Sequence, residues 1–272
     1  MQRTIAFLHE QAEDGLLPWA VQQAAAEKFS LSLGEIEQII LEQGLLPARY
    51  QRNQQIISNR QQLQLFRSSV AVIGCGGLGG YVIEELARLG VGQIVAIDPD
   101  VFEEHNLNRQ RFSSIRGLGE PKVKKAAEGV MEINPAVILQ PVQSAFSKEN
   151  GCALLVGVNV VIDALDNIPT RLELAKICNK MNIPLVHGAI AGWYGQVCTI
   201  FPGEDSMQQI YRHWVEGKGE EQELGNPSFT PAVVASLEVA ETCKILLDQG
   251  ELLRGRQLYI NLLEMEIEEI PL

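Results

Sequence analysis

No two of the five cysteines, Cys75, Cys152, Cys178, Cys198 and Cys243, stand at Cys-x-x-Cys spacing. An odd, scattered set offers no disulfide framework and no paired thiolates, and it fits a reducing compartment. Basic residues are scarce as well: 22 Lys and Arg face 34 Asp and Glu, for a formal charge of −12. That balance argues against nonspecific nucleic-acid binding, which relies on cations neutralising phosphates. It also argues against an acidic partner steered by charge, unless the few bases are gathered in one cleft. No apolar run is long enough to cross a bilayer. Residues 1–10 carry only a brief apolar patch, so a cytoplasmic protein without a signal segment or membrane partner is expected. No Gly-x-x-x-x-Gly-Lys-[Ser/Thr] run occurs, which excludes a P-loop. Repeats and low-complexity tracts are missing too.

What is present is informative. The 272 residues, 46% hydrophobic and 21% charged, suffice for one large core and a smaller appendage. Val70-Ala71-Val72-Ile73 runs into Gly74-Cys75-Gly76-Gly77-Leu78-Gly79-Gly80, a buried strand turning through glycines into a helix. Gly74, Gly76 and Gly79 keep Gly-x-Gly-x-x-Gly spacing, and Asp98 closes a second apolar strand. This spacing allows a tight turn, a close backbone approach to phosphate, and a helix N-terminus facing an anion. A nucleotide site over 69–98 follows.

From Ser68 the pattern alternates: strands at 69–74, 93–98, 137–142, 159–163 and 184–187, helices at 78–89, 120–132, 147–155 and 168–181. It predicts an α/β fold, a doubly wound, mostly parallel Rossmann-like sheet. Strands at 196–201, 257–262 and 264–270, the last two a hairpin, add antiparallel pairing at the C-terminal end, with a helix at 230–247. Residues 1–48 form a helical appendage with helices at 18–29 and 32–43, the second opened by a Ser32–Glu35 capping box. That second helix carries Glu35, Glu37 and Glu42 and no Lys or Arg. It therefore reads as a packing or partner-docking element rather than a DNA-reading one. Residues 49–272 make the main domain, with 202–227 expected as a mobile crossover loop.

A glycine motif with a trailing acid is by default a nicotinamide or flavin dehydrogenase. The residues downstream point elsewhere. Asp98-Pro99-Asp100 precedes Asn106-Leu107-Asn108-Arg109-Gln110, then Gly119-Glu120-Pro121-Lys122, then Ala164-Leu165-Asp166-Asn167. A dehydrogenase has no use for an arginine and a lysine converging on the cofactor phosphates opposite an aspartate. Phosphoanhydride cleavage uses all three, with cations screening phosphate charge and a carboxylate holding Mg²⁺.

In order and spacing, these four sets resemble the ThiF/MoeB/HesA family, bacterial relatives of ubiquitin-activating enzymes, over about residues 48–270. The resemblance implies ATP and Mg²⁺ as ligands. It implies adenylylation of the C-terminal glycine carboxylate of a small ubiquitin-like (β-grasp) sulfur-carrier protein, with release of pyrophosphate. By position, Asp98 would bind the ribose hydroxyls, with Asp100 in the same nucleotide-binding set. The backbone at Gly74, Gly76, Gly77 and Gly79 would approach the phosphates. Asn106 and Arg109 would contact phosphates, with Asn108 and Gln110 nearby. Lys122 would brace the phosphates, and Asp166 would hold Mg²⁺ with Asn167 beside it. Arg49-Tyr50-Gln51-Arg52 resembles a family segment whose second arginine reaches the other subunit's γ-phosphate, implying a homodimer with Arg52 acting in trans. Phe229-Thr230-Pro231 resembles the segment beside the carrier tail.

The chain departs from the family where many members carry two Cys-x-x-Cys pairs, so no zinc is expected. Residues 202–227 hold no cysteine, so adenylylation without a thioester step is expected, with sulfur from another protein. Two rival readings are a related ATP-using enzyme, such as a tRNA threonylcarbamoyladenosine dehydratase, and a noncatalytic nucleotide-binding adaptor. The acidic charge speaks against a tRNA substrate. The cysteines and His187 read as core residues, Cys243 being the one to test for reactivity, and His105 reads as a neighbour of the phosphate-contacting run.

Overall fold

A computed structural model describes residues 1–212 and 224–272. Three helices lead the chain, α1 (Gln2–Glu10), α2 (Trp19–Phe29) and α3 (Leu33–Glu42), with short strands β1 (Leu16–Leu17) and β2 (Leu46–Pro47) pairing in parallel around the last two. The expected Ser32–Glu35 capping box is present at the start of α3. These elements share a small core of Leu8, Leu17, Ala25, Ile36 and Ile40, separate from the main ones. A 3-10 turn over Ala48–Asn53 and helix α4 (Asn59–Phe66) connect it to the main domain.

The main sheet has eight strands in the order β10-β9-β8-β7-β6-β3-β4-β5. Five are mutually parallel: β3 (Ser69–Ile73), β4 (Gln93–Ile97), β5 (Ile138–Val142), β6 (Val160–Asp163) and β7 (Leu185–Ala191). β8 (Tyr194–Ile200), β9 (Arg256–Asn261) and β10 (Glu266–Pro271) continue the sheet antiparallel. Strand periodicity splits the core in two. Val70, Val72, Ile94 and Ile162 pack against helices α5 (Gly77–Leu89), α6 (Lys122–Ile133) and α10 (Phe229–Leu247). Ala71, Ile73, Val95 and Val161 face α7 (Gly151–Leu154), α8 (Ile168–Met181) and α9 (Ser206–Ile210). Both faces are covered, as a parallel sheet requires. The chain leaves β3 toward one side and β6 toward the other, opening a crevice at their carboxyl ends, where ligands of such sheets bind.

The structure departs from the sequence reading in five places. Helix α1 was not expected, and neither was α4, whose polar sequence hides a buried Gln62 that donates to the Leu89 carbonyl. The expected helix at 147–155 shortens to α7. Strands β7 and β8 form a hairpin around Gly192-Trp193, masked in sequence by Gly188 and Gly195. Those glycines exist because α10 packs so closely: a Cβ at Gly195 would lie 2.3 Å from Val234 Cγ2, and one at Gly188 2.4 Å from Glu238 Cδ. The segment expected as a loop at 202–227 contains α9, and its part at 213–223 lies outside the described residues.

Two positions carry most of the turn after β3. Gly74 has φ +95°, and a Cβ there would stand 2.5 Å from the Ala164 carbonyl oxygen. A Cβ at Gly79 would sit 1.8 Å from the Gly74 carbonyl oxygen. Gly79→Ala is therefore expected to cost about 3 kcal/mol, read as a lower urea midpoint at unchanged m-value. Gly76→Ala, whose Cβ would approach only the Gln110 amide at 3.5 Å, is expected to stay closer to wild type.

Glu238 generates a pH expectation. It is fully buried, and neither carboxyl oxygen has a hydrogen-bond partner among the described residues. Burial, followed by repulsion from Asp163, pushes its carboxyl well above the ordinary value of 4.5, with Arg171 opposing. The folded protein keeps a proton here that the unfolded chain loses above that value, so this site makes stability fall as pH rises above it. Glu238→Gln is expected to melt higher than wild type at about pH 8, by some 2–4 °C for each kcal/mol recovered. The gap should close as pH falls toward 4.5; a pH-independent gap would contradict the assignment.

Candidate active site

At the carboxyl ends of β3, β4 and β6 lies a cavity of about 420 Å³. Its floor is the glycine turn: Gly74, Gly76, Gly77 and Leu78 line it at the N-terminus of α5. The N-cap is Gly76, and no side chain caps the helix. The first N–H groups and the positive dipole end are thus left to serve an anion.

Asp98 directly follows β4 and holds this turn in place. Its Oδ2 accepts the Cys75 N–H at 2.7 Å and its Oδ1 the Asp100 N–H at 2.8 Å. Burial raises the Asp98 carboxyl above its ordinary range, while Lys122 and the two N–H donors oppose the shift. A carboxylate has about four acceptor sites, so two remain for hydroxyl donors.

Lys122 reaches the pocket because two distant segments zip together. Phe102 N–H donates to the Glu120 carbonyl at 3.0 Å, Gly119 N–H to the Phe102 carbonyl at 2.8 Å, and Lys122 N–H to the Asp100 carbonyl at 3.0 Å. This places Lys122 at the first turn of α6, buried, with its Nζ donating to Asp100 Oδ2 at 2.9 Å. The Asp100 side chain is 61% exposed. The ammonium thus waits on a solvent-facing carboxylate that phosphate oxygens can displace.

Arg109 lines the same pocket, held by Nη1 donating to the His105 carbonyl at 3.1 Å and to Asn108 Oδ1 at 2.9 Å. Burial lowers its guanidinium pKa and the Asp166 carboxylate opposite works against that. Asp166 and Asn167 follow β6 and are both exposed. Asn167 rather than Asp166 caps α8, its Oδ1 accepting the Thr170 N–H at 3.0 Å. Relieved of capping, Asp166 keeps its carboxylate for the pocket.

Of the other expected residues, Asn106, Asn108 and Arg52 fall outside the lining. Asn106 is buried, and its Oδ1 accepts the Glu103 N–H at 3.0 Å, closing the turn ahead of Arg109. Asn108 is exposed and donates to the Asn226 carbonyl at 3.0 Å. Gln110 does line the pocket, and its buried Oε1 has no hydrogen-bond partner among the described residues. Arg52 is exposed on the 3-10 turn and does not line its own chain's pocket.

Sequence reasoning missed Arg171. It is buried on α8 and lines the pocket, with Nη1 donating to Tyr211 Oη at 2.8 Å and Nη2 donating to the Leu165 carbonyl beside Asp166. His187 lies behind it, with Nδ1 2.8 Å from Asp163 Oδ2, and burial lowers its pKa. The one signal in the sequence was position, since Arg171 falls one helical turn after Asn167.

The residues present fit a nucleoside triphosphate: a helix start without a side-chain cap, three cations in the lining, and an orphaned buried amide oxygen. Fold and pocket together define a Rossmann-type nucleotide-binding protein with a site for phosphate chemistry. The ThiF family matches residues 50–272, and the chain belongs to that family. It is 38% identical over 213 residues to the SAMP-activating enzyme E1 of Haloferax volcanii, covering 77% of this chain and 78% of that protein. It is 34% identical to the sulfur carrier protein adenylyltransferase of Thermus thermophilus, covering 77% and 80%. It is 31% identical to the molybdopterin-synthase adenylyltransferase of Escherichia coli, covering 75% and 83%. The crystal structure of E. coli MccB shares the fold, with a TM-score of 0.71 at 22% identity over 82% of this chain and 69% of that one. No helix among the described residues is long and apolar enough to cross a membrane.

Proposed function

We propose that this chain adenylylates the C-terminal glycine carboxylate of a small β-grasp sulfur-carrier protein, using ATP and releasing pyrophosphate. The convergence of Arg109, Lys122 and Asp166 on the uncapped start of α5 carries the reading, because that set matches the charge redistribution of phosphoanhydride cleavage. The names of the relatives, sulfur-carrier and molybdopterin-synthase adenylyltransferases, support it.

The attacking carboxylate is ionised at neutral pH and needs no general base. Its difficulty is repulsion from the phosphates. One carboxylate oxygen bonds to the α-phosphorus as the bond to the bridging oxygen of the β-phosphate breaks, and pyrophosphate leaves with that electron pair. The α5 N-terminus and Arg109 hold the phosphates in line, and Lys122, moving from Asp100, neutralises charge as it builds. Asp98 orients the ribose. Asp166 would hold Mg²⁺, whose charge would screen the phosphates against the attacking carboxylate.

Arg52 completes the screening from a second copy of the chain, in a homodimer; its outward position, away from its own pocket, favours this. The cysteines support an external sulfur source. Burial pushes Cys178 up to about 12 and Cys243 up to about 11, and raises Cys75 well above its ordinary value, so none of these three is a ready thiolate.

ATP–pyrophosphate exchange by the purified protein, with and without a glycine-ending carrier from the same organism, is the deciding measurement. Exchange is expected only with the carrier. Asp166→Ala should abolish it, and Lys122→Ala should lower kcat by about 10²–10³-fold. Mg-ATP binding without exchange, across several carriers, would overturn the reading.

A further inference from the structure

The N-terminal helical unit precedes the part of the chain matched by the ThiF family, and it grips the residues just before Arg52. Arg49 is the contact. Its guanidinium donates through Nη1 to Glu37 Oε2 on α3 and through Nη2 to Gln22 Oε1 on α2 at 2.6 Å. The same group lies over the Trp19 ring at 5.3 Å and the Tyr50 ring at 5.6 Å. Gln22 is itself fixed, its Nε2 donating to the Leu17 carbonyl at 2.7 Å. Glu37 is completely buried and takes a second hydrogen bond from Tyr50 Oη, at 2.7 Å. Arg49 is thus fully engaged within its own chain, whereas Arg52, three residues on, is exposed and has no ion pair or side-chain hydrogen bond among the described residues.

A buried ion pair is a poor source of stability, because desolvation offsets most of its attraction, and its best-attested use is to fix a unique arrangement. Hydrophobic residues at 22, 37 and 49 would pack the appendage at least as well. What the polar set adds is direction, since a planar guanidinium held at Glu37 and Gln22 and stacked on Trp19 has one orientation. That orientation sets the start of the 3-10 turn Ala48–Asn53, which leaves Arg52 exposed and outside the lining of its own pocket.

We infer that the N-terminal helices are a positioning element, in which Glu37 and Gln22, acting through Arg49, hold Arg52 in register for the phosphates in a partner subunit's site. The inference rests on the proposed adenylyltransferase reading and on Arg52 acting in trans. A competing route also starts at Glu37. Tyr50 Oη accepts a hydrogen bond from Asn134 Nδ2 at 2.7 Å, at the end of α6, the helix that begins with Lys122. By that route Glu37 would act on its own chain's pocket.

Mixed dimers separate the two routes. A dimer of one Arg52→Ala chain and one Asp166→Ala chain has one complete site, which pairs the first chain's Asp166 with the second chain's Arg52. It should recover about half the wild-type exchange rate. Adding Glu37→Gln to the Asp166→Ala chain, which lends Arg52, should lower kcat in that dimer about tenfold or more. Adding it to the Arg52→Ala chain, which carries the chemistry, should change nothing. Gln22→Ala, which leaves the Glu37–Tyr50 bond in place, should repeat the asymmetry. Equal losses in both placements, a loss only in the chemistry-bearing chain, or no loss in either would overturn the inference while leaving the trans reading standing. A mixed dimer without any recovered exchange, alongside an active wild type, would overturn the trans reading and this inference with it.

Discussion

Everything at the pocket depends on one close crossing, where the exit of β3, the start of α5 and the exit of β6 meet without side chains between them. The Gly74 carbonyl sits where a Cβ of Gly79 would be, and the Ala164 carbonyl where a Cβ of Gly74 would be. Backbone touches backbone there, so α5 can begin immediately beyond the strand and point its uncapped end into the crevice. Asp98 locks the turn from the neighbouring strand with its two backbone hydrogen bonds. Move α5 outward by one methyl group and the N–H groups, Asp98 and Asp166 no longer face a common point.

The second constraint is electrostatic. An acidic protein must present cations to a polyanion without letting them bind their own carboxylates too tightly. Lys122 is buried, yet its partner Asp100 is mostly exposed and so well solvated. That arrangement keeps the pair exchangeable, since a carboxylate in water gives up a partner at little cost. Arg109 is held by a carbonyl and an amide rather than a carboxylate, so its charge stays available. The cations therefore stand ready without being neutralised.

Behind the pocket the core is unusually polar. Asp163, His187 and Arg171 are all buried, and Arg171 ties the Asp166 turn to Tyr211 on the far side. Such a network rigidifies its surroundings when its members are satisfied. It shares the region with Glu238, whose unpartnered carboxyl is a local weakness that the close α10–β7 packing tolerates. The N-terminal unit repeats this use of buried polarity at Glu37, beside the turn that carries Arg52.

Much of this was legible from local pattern. The glycine spacing, the buried strand before it and Asp98 after it mark the turn, because few other residues can make a crossing that tight. The alternation of apolar strands and amphipathic helices predicts the doubly wound sheet, and the paired acidic and basic motifs predict phosphate chemistry. Polar or glycine-bearing elements were hidden: α4 because its buried face pairs Leu65 with the amide of Gln62, and the β7–β8 hairpin because its glycines answer to a helix more than thirty residues away in sequence. The pocket residues divide along the same line. Sequence alone determined that Arg109, Lys122 and Asp166 exist at motif spacing. Only the tertiary structure decided that Asn167 takes the cap and frees Asp166, that Asn106 braces a turn instead of lining the pocket, and that Arg171 belongs to the site. Those outcomes turn on which hydrogen-bond partner lies within reach, and that is a property of packing between distant segments rather than of any local run of residues.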